Sequence, residues 1–220
     1  TLMNEPAHLS AGQDWADETQ VLDWLAQAGD KFRKSTLPSK GVKMYMNVIG
    51  TAFEDFDGVV PQWWANSFTL TEQREWAVAD IHWYSAWDGE DGSGRLTDGG
   101  LYHCDDPIEE IRPKLQTAIS DFTDNFVENF PGLRSCSEFS LGTYDQALGA
   151  CTDPANQELF LNEQVTLMNK NGIEPFFWTW RMPYGSAFEP GWSLKHALGK
   201  ENPHLEFSCL QPKSVTPTEL

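Results

Sequence analysis

Four short segments hold the residues best able to do chemistry: Asn4-Glu5 before Pro6, His82-Trp83-Tyr84, Glu138 within SCSEFS, and Trp178 with Trp180 within FFWTW. Two carboxyl groups, Glu5 and Glu138, with a His, a Tyr and Trp rings beside them suit cleavage of a glycosidic bond. One acid protonates the leaving oxygen while the other attacks the sugar or activates water. Glu138 is flanked by small polar residues in a segment otherwise apolar, and an acid buried there is costly unless it is used or paired. Each segment by itself has a plainer reading. Asn-Glu-Pro commonly starts a turn or helix, and His82 and Tyr84 fit a satisfied core. Glu138 fits an ion pair with a Lys or Arg, and Trp178 and Trp180, alternating along a strand, fit a barrel interior. The combination is far more specific than any member.

These residues must be positioned by a globular scaffold. The 220 residues are 40% apolar, 13% aromatic and 22% charged, which excludes a disordered or fibrous chain. No apolar run approaches the ~20 residues that span a bilayer, so membrane insertion is not expected. Fifteen basic against 33 acidic residues give a net charge of −18. Such a surface repels phosphate backbones and anionic lipid, so nucleic acid is not an expected partner, whereas a neutral ligand meets no electrostatic penalty. Ten of the aromatics are Trp, whose flat apolar faces serve for stacking on sugar rings or for packing. Cys104, Cys136, Cys151 and Cys209 are irregularly spaced and form no Cys-x-x-Cys pair, which argues against a zinc ribbon. One or two disulfides, or buried free thiols, remain open.

Short apolar runs alternate with longer amphipathic ones. Residues 14–34 have apolar side chains at helical spacing, acids early and Lys31, Arg33 and Lys34 late, an order that suits the helix dipole. Residues 42–49 read as a buried strand, 61–68 as a short helix or loop, and 71–77 as a helical turn leading into a strand over 78–84. The Gly/Asp-rich loop 88–100 lacks the ligand spacing of a calcium loop. Residues 106–130 form the longest helix candidate, with Ile108, Ile111, Leu115, Ile119, Phe122 and Phe126 on one stripe. Pro107 suits its first turn, and Pro113 is expected to kink or restart it. A strand over 134–141, a helix over 156–170 ending at Gly172, a strand over 174–182 and a closing helix over 192–198 follow. The tail 201–220 is irregular.

Strands alternating with helices and buried on both faces predict a parallel sheet with crossover helices. No Gly-x-Gly-x-x-Gly or P-loop is present, so nucleotide folds are poorly supported, and no Gly-x-Ser-x-Gly elbow supports a serine hydrolase. The expected fold class is α/β, the C-terminal portion of a (β/α)8 barrel, because a whole barrel takes ~250 residues and this chain has room for about half. In that fold the polar residues at strand ends gather at one face.

At this point the chain resembles glycoside hydrolase family 5, one of the retaining (β/α)8 glycosidases, over residues 2–198. The matching segments are LMNEP at the end of strand four, IHWY on strand six, CSEFS on strand seven and FFWTW on strand eight. The FFWTWRM and GWSLKHAL segments look most like the exo-1,3-β-glucanase branch. The resemblance implies Glu5 as general acid/base, Glu138 as nucleophile, and Asn4 holding the sugar 2-hydroxyl. Tyr84 would hydrogen-bond the nucleophile, His82 would line the same subsite, and Trp178 would stack under the sugar with Trp180 as a neighbour. Ser137 stands where the family usually has Gly before its nucleophile, and the strand-two Arg and strand-three His have no counterpart here.

It follows that residues 1–200 are expected to be the C-terminal half of a catalytic barrel, inactive if isolated and monomeric once complete. The substrate would be a β-linked oligo- or polysaccharide, β-glucan foremost, cleaved without a cofactor or metal, and the resemblance implies a secretory or extracellular setting. The alternative is a catalytically inactive carbohydrate-binding barrel.

Overall fold

The computed structural model describes residues 18–47, 59–85, 106–143, 154–183, 185–186 and 188–199. Asn4, Glu5, loop 88–100, tail 201–220 and Cys104, Cys151 and Cys209 lie outside the described residues. The elements, in chain order, are α1 (Glu18–Arg33), β1 (Met44–Asn47), α2 (Val59–Ser67), α3 (Leu70–Glu75), β2 (Ala77–Ser85) and α4 (Ile108–Asn129). They continue with β3 (Leu133–Thr143), α5 (Pro154–Lys170), β4 (Ile173–Phe177), α6 (Glu189–Trp192) and α7 (Leu194–Ala197). The strands form one sheet in the order β1-β2-β3-β4, and every pairing is parallel. Parallel neighbours require crossovers, and helices supply them. Among the described residues no helix is long and apolar enough to cross a membrane.

The sheet is curled. Side by side, four flat strands would put the outer two ~14 Å apart, at ~4.8 Å per strand. Yet Tyr45 on β1 donates its hydroxyl to Glu174 Oε2 on β4 at 3.0 Å, and its ring meets Phe176 edge-on with centroids 6.1 Å apart. These contacts cross a concave face, as in an arc of a barrel wall. The convex face carries the apolar core: Met44, Met46, Ala77, Ala79, Ile81, Trp83, Cys136, Phe139, Leu141 and Ile173 pack against the helices. Trp83 meets Phe122 of α4 with ring centroids 4.3 Å apart. The larger of these, such as Met46, Ile81, Phe139 and Leu141, each contribute roughly 1.5–3 kcal/mol by leaving water.

Local sequence explains the element ends. Thr69 and Glu72 form a capping box that fixes the start of α3, the helical turn expected over 71–77, at Leu70. Arg33 from the end of α1 pairs with the same Glu72. Burial alone would raise the Glu72 carboxyl, but bonds from Arg33 and Thr69 bring it below its ordinary value. Helix α4 runs unbroken through Pro113 rather than restarting there. Pro113 removes one backbone bond near the helix start, while the buried stripe from Ile111 to Phe126 holds both sides to the sheet. Gly172, at φ +66°, ends α5 in the left-handed region that glycine adopts without strain.

Two expected elements differ. The strand foreseen over 174–182 ends at Phe177, because from Thr179 on the backbone pairs elsewhere. Thr179 N–H donates to Trp192 O at 2.8 Å, and Thr179 O and Trp180 O accept from Leu194 and Lys195. The closing helix foreseen over 192–198 is two single turns divided by Ser193, whose extended backbone breaks the first and whose hydroxyl accepts from His196 N–H to cap the second. Cys136 is a buried free thiol, which removes the option of two disulfides. Burial pushes its thiol well up, and it donates to Glu138 O at 3.3 Å.

Candidate active site

Strand alternation puts Asp80, His82 and Tyr84 of β2 on the concave face, each two residues nearer the strand's C-terminal end. On β3 strict alternation would send Glu138 the other way, into the apolar layer with Cys136. It does not go there, because β3 has a bulge. Ile81 pairs with Cys136 and the next residue, His82, pairs with Glu138, so Ser137 is one residue too many. Strand β4 meets the same surplus: Pro175 pairs with Cys136, and Phe177, two residues on, pairs with Phe139, three residues on. The extra residue reverses the alternation, so Glu138 faces the concave side while Phe139 stays in the core.

There Glu138 is held by its neighbours on β2. The Tyr84 hydroxyl donates to Glu138 Oε2 at 2.6 Å, and His82 Nδ1 lies 3.4 Å from the same oxygen. The Glu138 side chain is 15% exposed and that of His82 only 2%. The carboxylate therefore reaches the surface, while His82 sits buried behind it rather than open to a bound molecule.

Trp178 follows β4 immediately, its N–H donating to Phe139 O at 2.8 Å, and its peptide to Thr179 is cis. Trp178 is 40% exposed and Trp180 56%, so neither is a packed core side chain here. Trp178 stands edge-on to the buried Trp192, centroids 5.6 Å apart, and Trp192 also packs on Tyr84 at 5.2 Å. Trp192 thus links the exposed ring of Trp178 to the tyrosine that holds Glu138. Gly142 of β3 makes room for it, since a Cβ there would come within 2.6 Å of the indole.

Beneath Glu138 lies a second carboxyl group, fully buried Asp80. Burial pushes it upward, against the donors of Ser135 and Ser137, the charge of His82 and the Asn47 amide. On the same concave face the Tyr45 hydroxyl is pushed up to about 12 by burial and then by its bond to Glu174. Among the described residues no group of three or more His, Cys, Asp or Glu side chains could hold a metal ion.

The structure therefore brings together Glu138, Tyr84 and His82, with Trp178 joined to them through Trp192; Trp180 lies farther along the same segment. Asn4 and Glu5 are outside the described residues. Sequence reasoning missed Asp80, the bulge at Ser137, and Trp192. The first was readable in the Asp80-x-His82-x-Tyr84 alternation and the third in a glycine inside a strand; a bulge leaves no such mark.

No family model matches this sequence, and no curated protein does. Solved structures do match in fold. AoRut superposes with a TM-score of 0.55 at 12% identity, over 90% of this chain and 47% of that one. Rutinosidase from Aspergillus niger superposes with a TM-score of 0.56 at 11% identity, over 90% and 48%. The fold is α/β, of the (β/α)8-barrel kind. This chain spans about half the length of the structures it matches.

Proposed function

We propose that the chain carries the nucleophile half of a retaining O-glycoside hydrolase acting on a β-linked glycoside, β-glucan foremost. The observation that supports this best is Glu138: a bulge midway along its strand turns it out of the core, where Tyr84 orients one oxygen and part of the carboxylate side chain reaches the surface. A merely structural acid needs no such reversal. That a solved structure of the same fold is a rutinosidase adds support for a glycosidic substrate.

In this reading a Glu138 oxygen attacks the anomeric carbon as Glu5, assigned by resemblance alone, protonates the departing oxygen. A glycosyl ester forms on Glu138. Water, deprotonated by Glu5, then attacks the same carbon and releases Glu138, so two inversions give net retention. Asn4 would hold the 2-hydroxyl, and the exposed Trp178 face would carry the sugar ring. Retention requires the two carboxyl groups to stand ~5–5.5 Å apart.

The test is proton NMR of the first sugar released from an aryl β-glucoside by the natural full-length protein. The β-anomer should appear first. Initial release of the α-anomer would contradict the retaining assignment, and tight sugar binding without hydrolysis would favour the inactive binding barrel.

A further inference from the structure

The double displacement makes no use of Asp80, yet this carboxyl group is fully buried on the concave face directly below His82. Its surroundings are specific. Ser135 and Ser137 both donate hydroxyls to it, the latter to Oδ2 at 2.6 Å, and Ser137 N–H donates to Oδ1 at 2.9 Å. Asn47 Nδ2 completes the set at 3.4 Å. The N–H of a bulged residue is left out of the strand ladder and needs an acceptor elsewhere. For Ser137 that acceptor is Asp80.

The serine side chain adds a second tie to the same carboxyl group, so Ser137 is gripped by both its backbone and its hydroxyl. The next residue along the chain is Glu138. With the bulge pinned, the direction of the Glu138 Cα–Cβ bond is fixed before Tyr84 orients the carboxylate. We propose that Asp80 is a positioning residue: by clamping the Ser137 bulge it sets the aim of Glu138. The proposal rests on the reading of Glu138 as nucleophile only for its catalytic consequence; the clamp itself is a statement about geometry.

The test compares Asp80→Asn, Ser137→Ala and the double variant in the full-length protein, by kinetics on an activated aryl β-glucoside and by crystallography. Asparagine keeps the shape but turns one acceptor into a donor facing the donors of Ser135 and Ser137. Asp80→Asn should lower kcat about 100-fold with KM within about threefold, and Ser137→Ala should lower kcat about tenfold. Because both act on one clamp, the double variant should be within about twofold of Asp80→Asn alone. In the Asp80→Asn crystal the Tyr84–Glu138 distance should open beyond ~3.5 Å.

Activity within threefold of wild type, with Glu138 still bonded to Tyr84, would overturn the proposal. So would multiplicative losses with Glu138 unmoved, which would make Asp80 a structural residue only. If the wild-type protein hydrolyses no glycoside, the functional reading fails, and the Tyr84–Glu138 distance alone decides the clamp. If Asp80→Asn does not fold, the same distance in Ser137→Ala decides it: lengthened supports the clamp, unchanged overturns it.

Discussion

Replacing Tyr84 by phenylalanine isolates one hydroxyl. The ring that packs on Trp192 at 5.2 Å stays, so the wall behind Trp178 is unaltered. What is lost is the hydrogen bond to Glu138 Oε2 at 2.6 Å, a length typical of a hydroxyl bonded to a carboxylate. Hydrogen bonds to charged groups contribute about 1.5–3 kcal/mol. With 15% exposure, Glu138 keeps limited contact with water, so solvent replaces that bond poorly. At ~1.4 kcal/mol per factor of ten, the expected loss in kcat/KM is roughly 10- to 150-fold. The loss should fall on the step that forms the glycosyl ester, because that step uses an oriented free carboxylate. Stopped-flow release of an aryl leaving group reads that step directly, and a thermal melt checks that folding is intact. A burst rate within twofold of wild type would refute the assignment of Tyr84 as the group that orients Glu138.

Three further outcomes follow from the same contacts. Gly142→Ala puts a methyl within 2.6 Å of the buried Trp192 ring, and overpacking of this kind costs about 1–3 kcal/mol; a lower Tm together with a raised KM is expected, and an unchanged Tm would show that Trp192 is free to yield. The Tyr45 pKa of about 12 exceeds its unfolded value of ~10, so its stabilising contribution is present below pH ~10 and lost as pH rises through ~12. Absorbance titration at alkaline pH should show a late tyrosine ionisation that is missing in Tyr45→Phe. In the full-length protein Glu5→Ala should spare glycosyl-ester formation from glycosides with activated leaving groups, which need little protonation, while Glu138→Gln abolishes it; equal losses in the initial burst of leaving group would contradict the assigned roles.

The fold was readable where periodicity was strong. The stripe through Ile111, Leu115, Ile119, Phe122 and Phe126 announces a helix that does form, and its apolar side is strong enough to carry the chain through Pro113. The alternation of Asp80, His82 and Tyr84 puts three polar side chains on one face of β2. The failures share a physical cause: backbone hydrogen bonds between distant segments. Residues 178–182 have strand-like composition, but after Trp178, which still donates to Phe139 O of β3, Thr179 and Trp180 pair with 192–195 instead. Ser137 looks like one more residue of an alternating strand, whereas its N–H is taken by Asp80, 57 positions earlier in the chain. No local pattern encodes either event. Trp178 and Trp180 were readable as stacking rings or as barrel core, and both are exposed on this half of the barrel.

The central claim is that Glu138 forms a covalent bond to the sugar, and one measurement tests it directly. A 2-deoxy-2-fluoro-β-glucoside with a good leaving group slows both steps through its oxocarbenium-like transition states, yet keeps the first faster than the second, so the ester accumulates. After incubation with the full-length protein, mass spectrometry of the peptic digest should find one label per molecule, on the peptide around CSEFS and at Glu138. Label on a different carboxylate, or equal labelling of the Glu138→Gln variant, would contradict the account.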